Sequence, residues 1–543
     1  MAWARAAVLV AAAGALVSGA GAADPRTPPG LPGLPAPFLG TALLGDGGMT
    51  VAVDSYGSVV DMRPGGPASA PAIAVSSRRQ AAGTVPAGAS LSVRVGGPGP
   101  LEPLWRASRV RQLRPRHGAL STAAEVGRLT VSITDAARGP LFARLIRVRG
   151  APGRSVRAAV GPVPEDGARC LAGSTGGRDP EQPPSVPAGP GPATDARPVP
   201  PGHRHLWRGR GEIAGWLVCG AAPPAPGSGG DPRELVGTAA IAAGRWLGAG
   251  RPLGPAAPGW ARATYRRSLL VLRSLTDRRT GAFAAGARDG WAYVWPRDAA
   301  AAAIALQRSG HRSLARRIAR FLAGLDIDAA ARFGGGGAPV GGRSAQGDAA
   351  GWIRAALEAT RDRAPARRGA WRERADYQER SGGGGALLGN AIASGLPAGR
   401  LRALFASGGE LVREAGDPGS GPDSAAAWAV APFPRPALRR PAARTLAALA
   451  ADASPYGILP SADWPGRDPW TAPTAWTAWS LAALGERRAA IALLRRLRRA
   501  STPAGFLPER VDRRTGLPVS TTPLGWSHAF AALALLRLWP GPG

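Results

Sequence analysis

The periodicity of the apolar residues changes once, near Pro258, and no other feature constrains the fold as much. Before that point apolar residues largely alternate with polar or small ones, as in half-buried strands. After it they recur at helical spacing towards the C-terminus. A chain of 543 residues is too long for one compact core, so the two patterns read as separate domains. The expected architecture is multidomain. A signal peptide (1–23) precedes an N-terminal antiparallel β-sandwich (24–251), and an all-α domain (252–543) follows.

Four strand segments are clear in the first half: Met49-Thr-Val-Ala-Val-Asp54, Leu91-Ser-Val-Arg-Val95, Leu129-Thr-Val-Ser-Ile-Thr134 and Leu141-Phe-Ala-Arg-Leu-Ile-Arg-Val148. Glycine and proline punctuate them at the short intervals of a sandwich. Residues 161–201 are rich in Pro, Gly and Ser and read as a long surface excursion. In the second half helices are expected near 260–275, 298–309, 312–325, 349–361, 386–393, 398–414, 441–451, 474–484, 487–500 and 527–538. That set fits a closed ring of helix pairs or an irregular α-solenoid. The chain shows no repeat of fixed period, which weighs against the solenoid. A ring gathers its loops at one end, where a pocket can form.

The formal net charge is +32 and all 68 basic residues are arginine. They are scattered along helices and loops rather than gathered in one block, so no nucleic-acid partner is expected. Arg5, the apolar run 6–17 and Ala20-Gly21-Ala22 have the order of an export signal. No second hydrophobic stretch of spanning length follows, so no stable membrane insertion is expected. The expected location is secreted or extracytoplasmic. Such a compartment permits a bridge between Cys170 and Cys219 but does not require it. The oligomeric state is not legible.

The chemistry-bearing stretches come late. Gly505-Phe-Leu-Pro-Glu-Arg-Val-Asp512 puts a carboxylate, Glu509, on a proline-fixed loop, and Trp526-Ser-His528 follows. Upstream lies Trp291-Ala-Tyr-Val-Trp-Pro-Arg-Asp298. Loop carboxylates framed by tryptophans suit sugar cleavage, because glycosidic acid-base chemistry usually takes two carboxyls and indole faces suit sugar faces. Of the seven glutamates after Pro258, five lie in or beside arginine-bearing segments and read as surface ion pairs. Glu379 and Glu509 remain. Trp352, Trp476 and Trp479 read as core, and His528 as a structural hydrogen-bonding residue.

These segments resemble, in order, the motifs of glycoside hydrolase family 15, the glucoamylase-like enzymes. Trp295-Pro-Arg-Asp298 is similar to the family's sugar-gripping segment, and Gln346-Gly-Asp348 to its Gln-x-Asp-Gly segment. Asp376-Tyr-Gln-Glu379 is similar to the segment carrying the general acid, and Arg467-Asp-Pro-Trp470 to an Asn-Pro-Trp segment. Leu507-Pro-Glu509 with Trp526-Ser-His528 is similar to the segment carrying the general base. The resemblance covers most of 258–543 and implies an (α/α)6 barrel and an inverting, exo-acting α-glucoside hydrolase. It implies Glu379 as general acid and Glu509 as general base. Trp295, Arg297, Asp298, Asp348, Arg467 and Trp470 would bind the sugar, and no metal or cofactor is required. Gln378 and Arg380 depart from the pattern, replacing a tryptophan and a second glutamate. An arginine beside the acid favours its charged form. The alternatives are trehalose- or dextran-type hydrolysis on the same scaffold, or a catalytically impaired carbohydrate-binding homologue.

Overall fold

A computed structural model of the chain describes residues 42–77, 89–113, 118–174, 196–222, 231–362, 374–382 and 385–542. The expected signal segment and the middle of the proline-rich stretch lie outside them. Strands fill the first half. A seven-stranded sheet runs in the order Arg197–Val199, Arg169–Ser174, Glu212–Gly220, Leu141–Arg149, Leu129–Arg138, Ala119–Val126, Arg109–Leu113. Two four-stranded sheets accompany it: Ala42–Gly45 to Ile73–Ala74 in chain order, and His205–Arg210, Ser155–Gly161, Ser92–Gly96, Glu102–Pro103. The pairings of named strands are antiparallel throughout.

Two expectations for this half need correcting. The stretch 161–201 is not wholly excursion, because Arg169–Ser174 and Arg197–Val199 are strands of the large sheet. Cys170 lies opposite Cys219 in that sheet and is bonded to it. Closing this 49-residue separation restricts the unfolded chain by about 4 kcal/mol. Nor are residues up to 251 all strand and loop: Pro232–Gly248 is a helix, α1. Its start is signalled locally, since Asp231 accepts a hydrogen bond from the Arg233 N–H and Pro232 stands at the first helical position. Small and branched side chains let it lie flat on the sheet. Ala239 packs on Ala119 and Ala136, and Leu235 and Val236 on Trp216 and Val218.

The second half adds α2 (Gly259–Ser274), α3 (Pro296–Arg308), α4 (Arg312–Ala323), α5 (Ala349–Thr360), α6 (Leu388–Ser394), α7 (Ala398–Phe405), α8 (Arg439–Ala451), α9 (Thr471–Leu484), α10 (Arg487–Ala500) and α11 (Gly525–Leu538). Burial sorts them into two layers. In α10 only Ala490, Leu493, Leu494, Leu497 and Ala500 are buried, the single stripe of an outer helix. In α3 every residue from Pro296 to Leu306 is buried, and α9 and α11 are buried nearly all round, as inner helices must be. The alanine run of α3 is therefore a packing device, because small side chains let neighbouring helices approach on both sides. Inner contacts run α3–α5–α6, then the short 3-10 helix Ser424–Ala429, then α9, α11 and back to α3. Six inner segments thus close a ring, the (α/α)6 arrangement, and the solenoid is excluded.

The helix expected over 398–414 stops at Phe405. Gly408 and Gly409 take positive φ (+58° and +84°) and make the turn between Ala406–Ser407 and Glu410–Glu414, and a second turn at Gly416 (φ +74°) pairs that strand with Asp417–Pro422. Arg413 is buried within this strand, and its Nη2 lies 3.3 Å from Asp376 Oδ2. The two halves share one apolar core, and the Ser274 hydroxyl donates to Gly45 O at 2.7 Å across the junction.

Candidate active site

Trp295 precedes the first residue of α3, Asp348 that of α5 and Trp470 that of α9, while Trp526 lies in the first turn of α11. The N-terminal ends of these inner helices converge on one end of the ring. Helix N-termini present unpaired N–H groups and a positive dipole end, so polar side chains collect there at low cost. The pocket between them is about 270 Å³.

Six of the eight residues singled out from the sequence line it: Glu379, Glu509, Trp295, Arg297, Asp298 and Trp470. Asp348 does not line it but is buried against its floor, with Oδ2 2.9 Å from Arg297 Nη1. Arg467 is exposed and outside the lining. The two glutamates come from different parts of the ring and face one hollow.

Glu509 is held from several sides. The Trp291 indole N–H donates to Oε1 at 3.3 Å, the Ser520 hydroxyl donates to Oε2, and Arg510 Nε lies 3.8 Å from Oε2. Its backbone N–H donates to Thr521 O at 2.9 Å, and its carbonyl accepts from the Thr471 N–H at 3.0 Å. His528 acts one step away. Buried in α11, it accepts the Leu507 N–H on Nε2 at 3.0 Å and meets the Ser268 hydroxyl at Nδ1, also at 3.0 Å. It fixes the loop that carries Glu509, the structural role expected of it.

Glu379 sits at φ +58°, a left-handed conformation that costs a non-glycine residue about 1 kcal/mol or more. The loop is fastened around it. The Glu379 N–H donates to Asp376 O at 2.9 Å, and the Gln378 N–H to Asp376 Oδ1 at 2.8 Å. The buried Gln378 amide donates to Tyr377 Oη and Asp423 Oδ2, both at 3.0 Å, and accepts from the Ser461 hydroxyl. Gln378 is thus a hub tying this loop to two others. Arg380, adjacent in sequence to Glu379, turns away to pair with Asp463 beside Trp464. The cation on Glu379 is Arg343, which no sequence signal marked.

The floor is electrostatic. Arg297 Nη1 donates to Gln346 Oε1 at 2.7 Å and to Asp348 Oδ2, and its guanidinium lies 4.6 Å from the Trp526 ring centre. Burial disfavours its charge, but Asp348 and then Asp298 raise its pKa in net. Asp298 is the surplus carboxyl, with its Oδ2 3.7 Å from Arg297 Nη2. Burial pushes its pKa up to about 7, Arg297 opposes this and Glu509 adds to it. Tyr377, Gln378, Trp291, Arg343, Trp464, Arg510 and Trp526 complete the wall. Trp291, Arg510 and Trp526 stand within the stretches read from sequence, whereas Trp464 is brought in only by loop packing. The indole N–H groups of Trp464, Trp470 and Trp526 and Arg297 Nε are buried with no hydrogen-bond partner among the described residues. Orphaned buried donors around a hollow call for an acceptor, which sugar hydroxyls supply. Trp352, Trp476 and Trp479 are buried in the core, as expected, and the Trp352 indole N–H is likewise without a partner among the described residues. No group of side chains suited to a metal ion occurs among the described residues.

Fold and pocket together define a glucoamylase-like architecture of the glycoside hydrolase family 15 type, a β-sandwich joined to an (α/α)6 barrel. Among solved structures, a bacterial glucoamylase complexed with acarbose matches at a TM-score of 0.66 and 12% identity, covering 94% of this chain and 95% of that one. A wild-type glycosidase matches at 0.42 and 22%, covering 51% and 96% respectively. The glucoamylase of Saccharomycopsis fibuligera matches at 0.43 and 11%, covering 53% and 96%. At sequence level, no protein-family model and no curated protein matches.

Proposed function

We propose that this protein is an exported, inverting, exo-acting α-glucoside hydrolase that releases glucose from the non-reducing ends of oligo- or polysaccharides. One observation carries the reading: Glu379 and Glu509 share a tryptophan-walled pocket with orphaned donors and an Arg297–Asp298 floor. The acarbose bound to the bacterial glucoamylase of like fold supports a carbohydrate ligand. The Cys170–Cys219 bridge supports export, because disulfides persist in oxidising compartments.

In this reading Glu379 gives its proton to the glycosidic oxygen as the bond from that oxygen to the anomeric carbon breaks. Glu509 takes a proton from water, whose oxygen bonds to the same carbon from the opposite face. Inversion requires the two carboxyls to stand ~6.5–9.5 Å apart. Arg297 and Asp298 grip hydroxyls of the terminal sugar, and Trp295 and Trp470 flank it. Asp348 positions Arg297. The outer wall decides between maltooligosaccharide, trehalose and dextran-type substrates.

The test is Glu509→Gln, assayed on maltooligosaccharides and trehalose, with proton NMR of the first sugar released by wild type. Loss of turnover by 10²-fold or more and initial β-glucose support the reading. Wild-type turnover in the variant ends it. The ion pair of Arg343 with Glu379 favours a second reading, oligosaccharide binding without hydrolysis. Binding with no glucose release by wild type would establish it.

A further inference from the structure

The open face of the seven-stranded sheet gathers charge that the sequence scatters. Alternate residues of a strand face two ways. Val110, Val131 and Val148 are buried, while Arg109, Arg111, Thr130, Ser132, Arg147 and Arg149 are exposed. Strand pairing then aligns the exposed residues in two rows. Arg111, Ala123, Ser132 and Arg147 form one row. Arg109, Glu125, Thr130 and Arg149 form the next, with Glu212 beyond Arg149. Helix α1 packs on the same face further along, over Ala119, Ala136 and Trp216, and leaves these rows exposed.

The rows make a shallow groove of about 280 Å³. Small side chains form its floor and arginines its two walls. Three strand spacings separate Arg111 from Arg147, about 14 Å, and arginines on one wall stand two residues apart, about 7 Å. Their partners on the protein are carboxylates. Arg147 Nε lies 3.0 Å from Glu212 Oε1, Arg149 Nε 3.2 Å from Glu212 Oε2, and Arg109 Nη1 3.9 Å from Glu125 Oε1. Pairs this exposed contribute little and exchange readily. Four guanidiniums against two carboxylates leave the face positive.

The spacing and the lining choose among polyanions. Duplex DNA carries one charge per ~1.7 Å of axis, far denser than these arginines, and Glu125 and Glu212 would meet its phosphates. None of the described residues lining the groove is aromatic, so bases find no stacking platform there and a bilayer meets no large apolar wedge. In an acidic polysaccharide the carboxylates are separated by sugar rings rich in hydroxyls. Guanidinium forks hold such carboxylates in paired hydrogen bonds, and the hydroxyls of Thr130 and Ser132 meet those of the rings between.

We infer that this face is a carbohydrate-binding surface, separate from the pocket in the ring, that takes linear polysaccharides bearing carboxylates, the uronic-acid polymers. It anchors the protein on such a polymer whether or not the pocket hydrolyses anything.

Calorimetric titration with alginate oligomers, and with their carboxyl-reduced form, tests this at ~0.15 M salt, where charges beyond about 8 Å are screened. Arg111→Gln/Arg147→Gln strips one row. Arg400→Gln/Arg488→Gln removes the same charge from exposed sites of the helical half. Circular dichroism confirms folding, and Arg109→Gln/Arg149→Gln carries the test if the first variant is unfolded. Wild type is expected to bind alginate and not the reduced form. The groove variant is expected to lose about ten-fold in affinity, and the distant variant less than about two-fold. No binding by wild type, equal binding of the reduced form, or equal losses in the two variants overturns the inference. Tighter binding of DNA or of phosphatidylglycerol vesicles than of alginate, lost in the groove variant, gives the face to another partner and overturns it too.

Discussion

Replacing Arg297 by Met tests the electrostatic floor most directly. Methionine keeps most of the volume but removes the bonds to Gln346 and Asp348, 2.7 and 2.9 Å long, and the contact with the Trp526 ring. Asp348 and Asp298 stay behind, both under 5% exposed. Breaking a buried pair by removing one partner costs about 3–5 kcal/mol, and the lost ring contact contributes up to ~2 kcal/mol when desolvated. Part of the ring contact is recovered by the methionine thioether, so a net loss of about 3–5 kcal/mol is expected at pH 8. The loss should shrink in acid. Buried carboxyls without a cation bind protons that the unfolded chain releases. The folded variant then holds more protons than its unfolded form, and its stability falls as pH rises. Urea unfolding followed by tryptophan fluorescence and far-UV circular dichroism, at pH 5 and pH 8, measures both quantities. A loss below about 1 kcal/mol at pH 8, or the same loss at both pH values, would refute this account of the floor.

Glu379→Gly should separate stability from activity: relief of the left-handed strain offsets loss of the Arg343 pair, leaving stability within about 1 kcal/mol of wild type while hydrolysis falls by 10²-fold or more; a similar fall in both would show that Glu379 is chiefly structural. Wild type should be more heat-stable at pH 5.5 than at pH 8. Burial holds Asp298 and Asp423 at about 7, above the ordinary aspartate value, so their contribution is full below about pH 4 and is lost as pH rises through 7; a Tm that climbs to pH 8 contradicts this. Asp289 lies at φ +53° and accepts the Ser77 N–H at 3.3 Å, two residues before Trp291, which donates to Glu509. Asp289→Gly keeps the turn but cuts this link to the β half, and kcat should fall about ten-fold with KM little changed; an unchanged kcat means the link does not position Glu509.

The elements of this protein were largely legible because their signals are local. Helix ends near 308, 451, 484, 500 and 538 follow from apolar period and are matched within a residue or two. Over 398–414 the helical spacing runs through Gly408 and Gly409, whose turn ends the helix and starts a strand instead. Helix α1 departs from the strand-and-loop expectation although Asp231-Pro232 is a sound start signal, because the strand pattern that precedes it dominates the first half. Residues at the starts of inner helices, such as Trp295, Arg297 and Asp298, were identifiable because the motif and the helix terminus coincide.

What the sequence by itself determined was the division into a strand half and a helical half, the tryptophan-framed carboxylates and most of the helix positions. Only the tertiary structure decided that six inner segments close a ring, that Gln378 serves as a hub, and that Arg343 rather than Arg380 meets Glu379. The reason lies in range. Periodicity records which face of an element is buried, whereas the partner of a charged side chain depends on which distant loop tip the ring brings within a few ångströms of it.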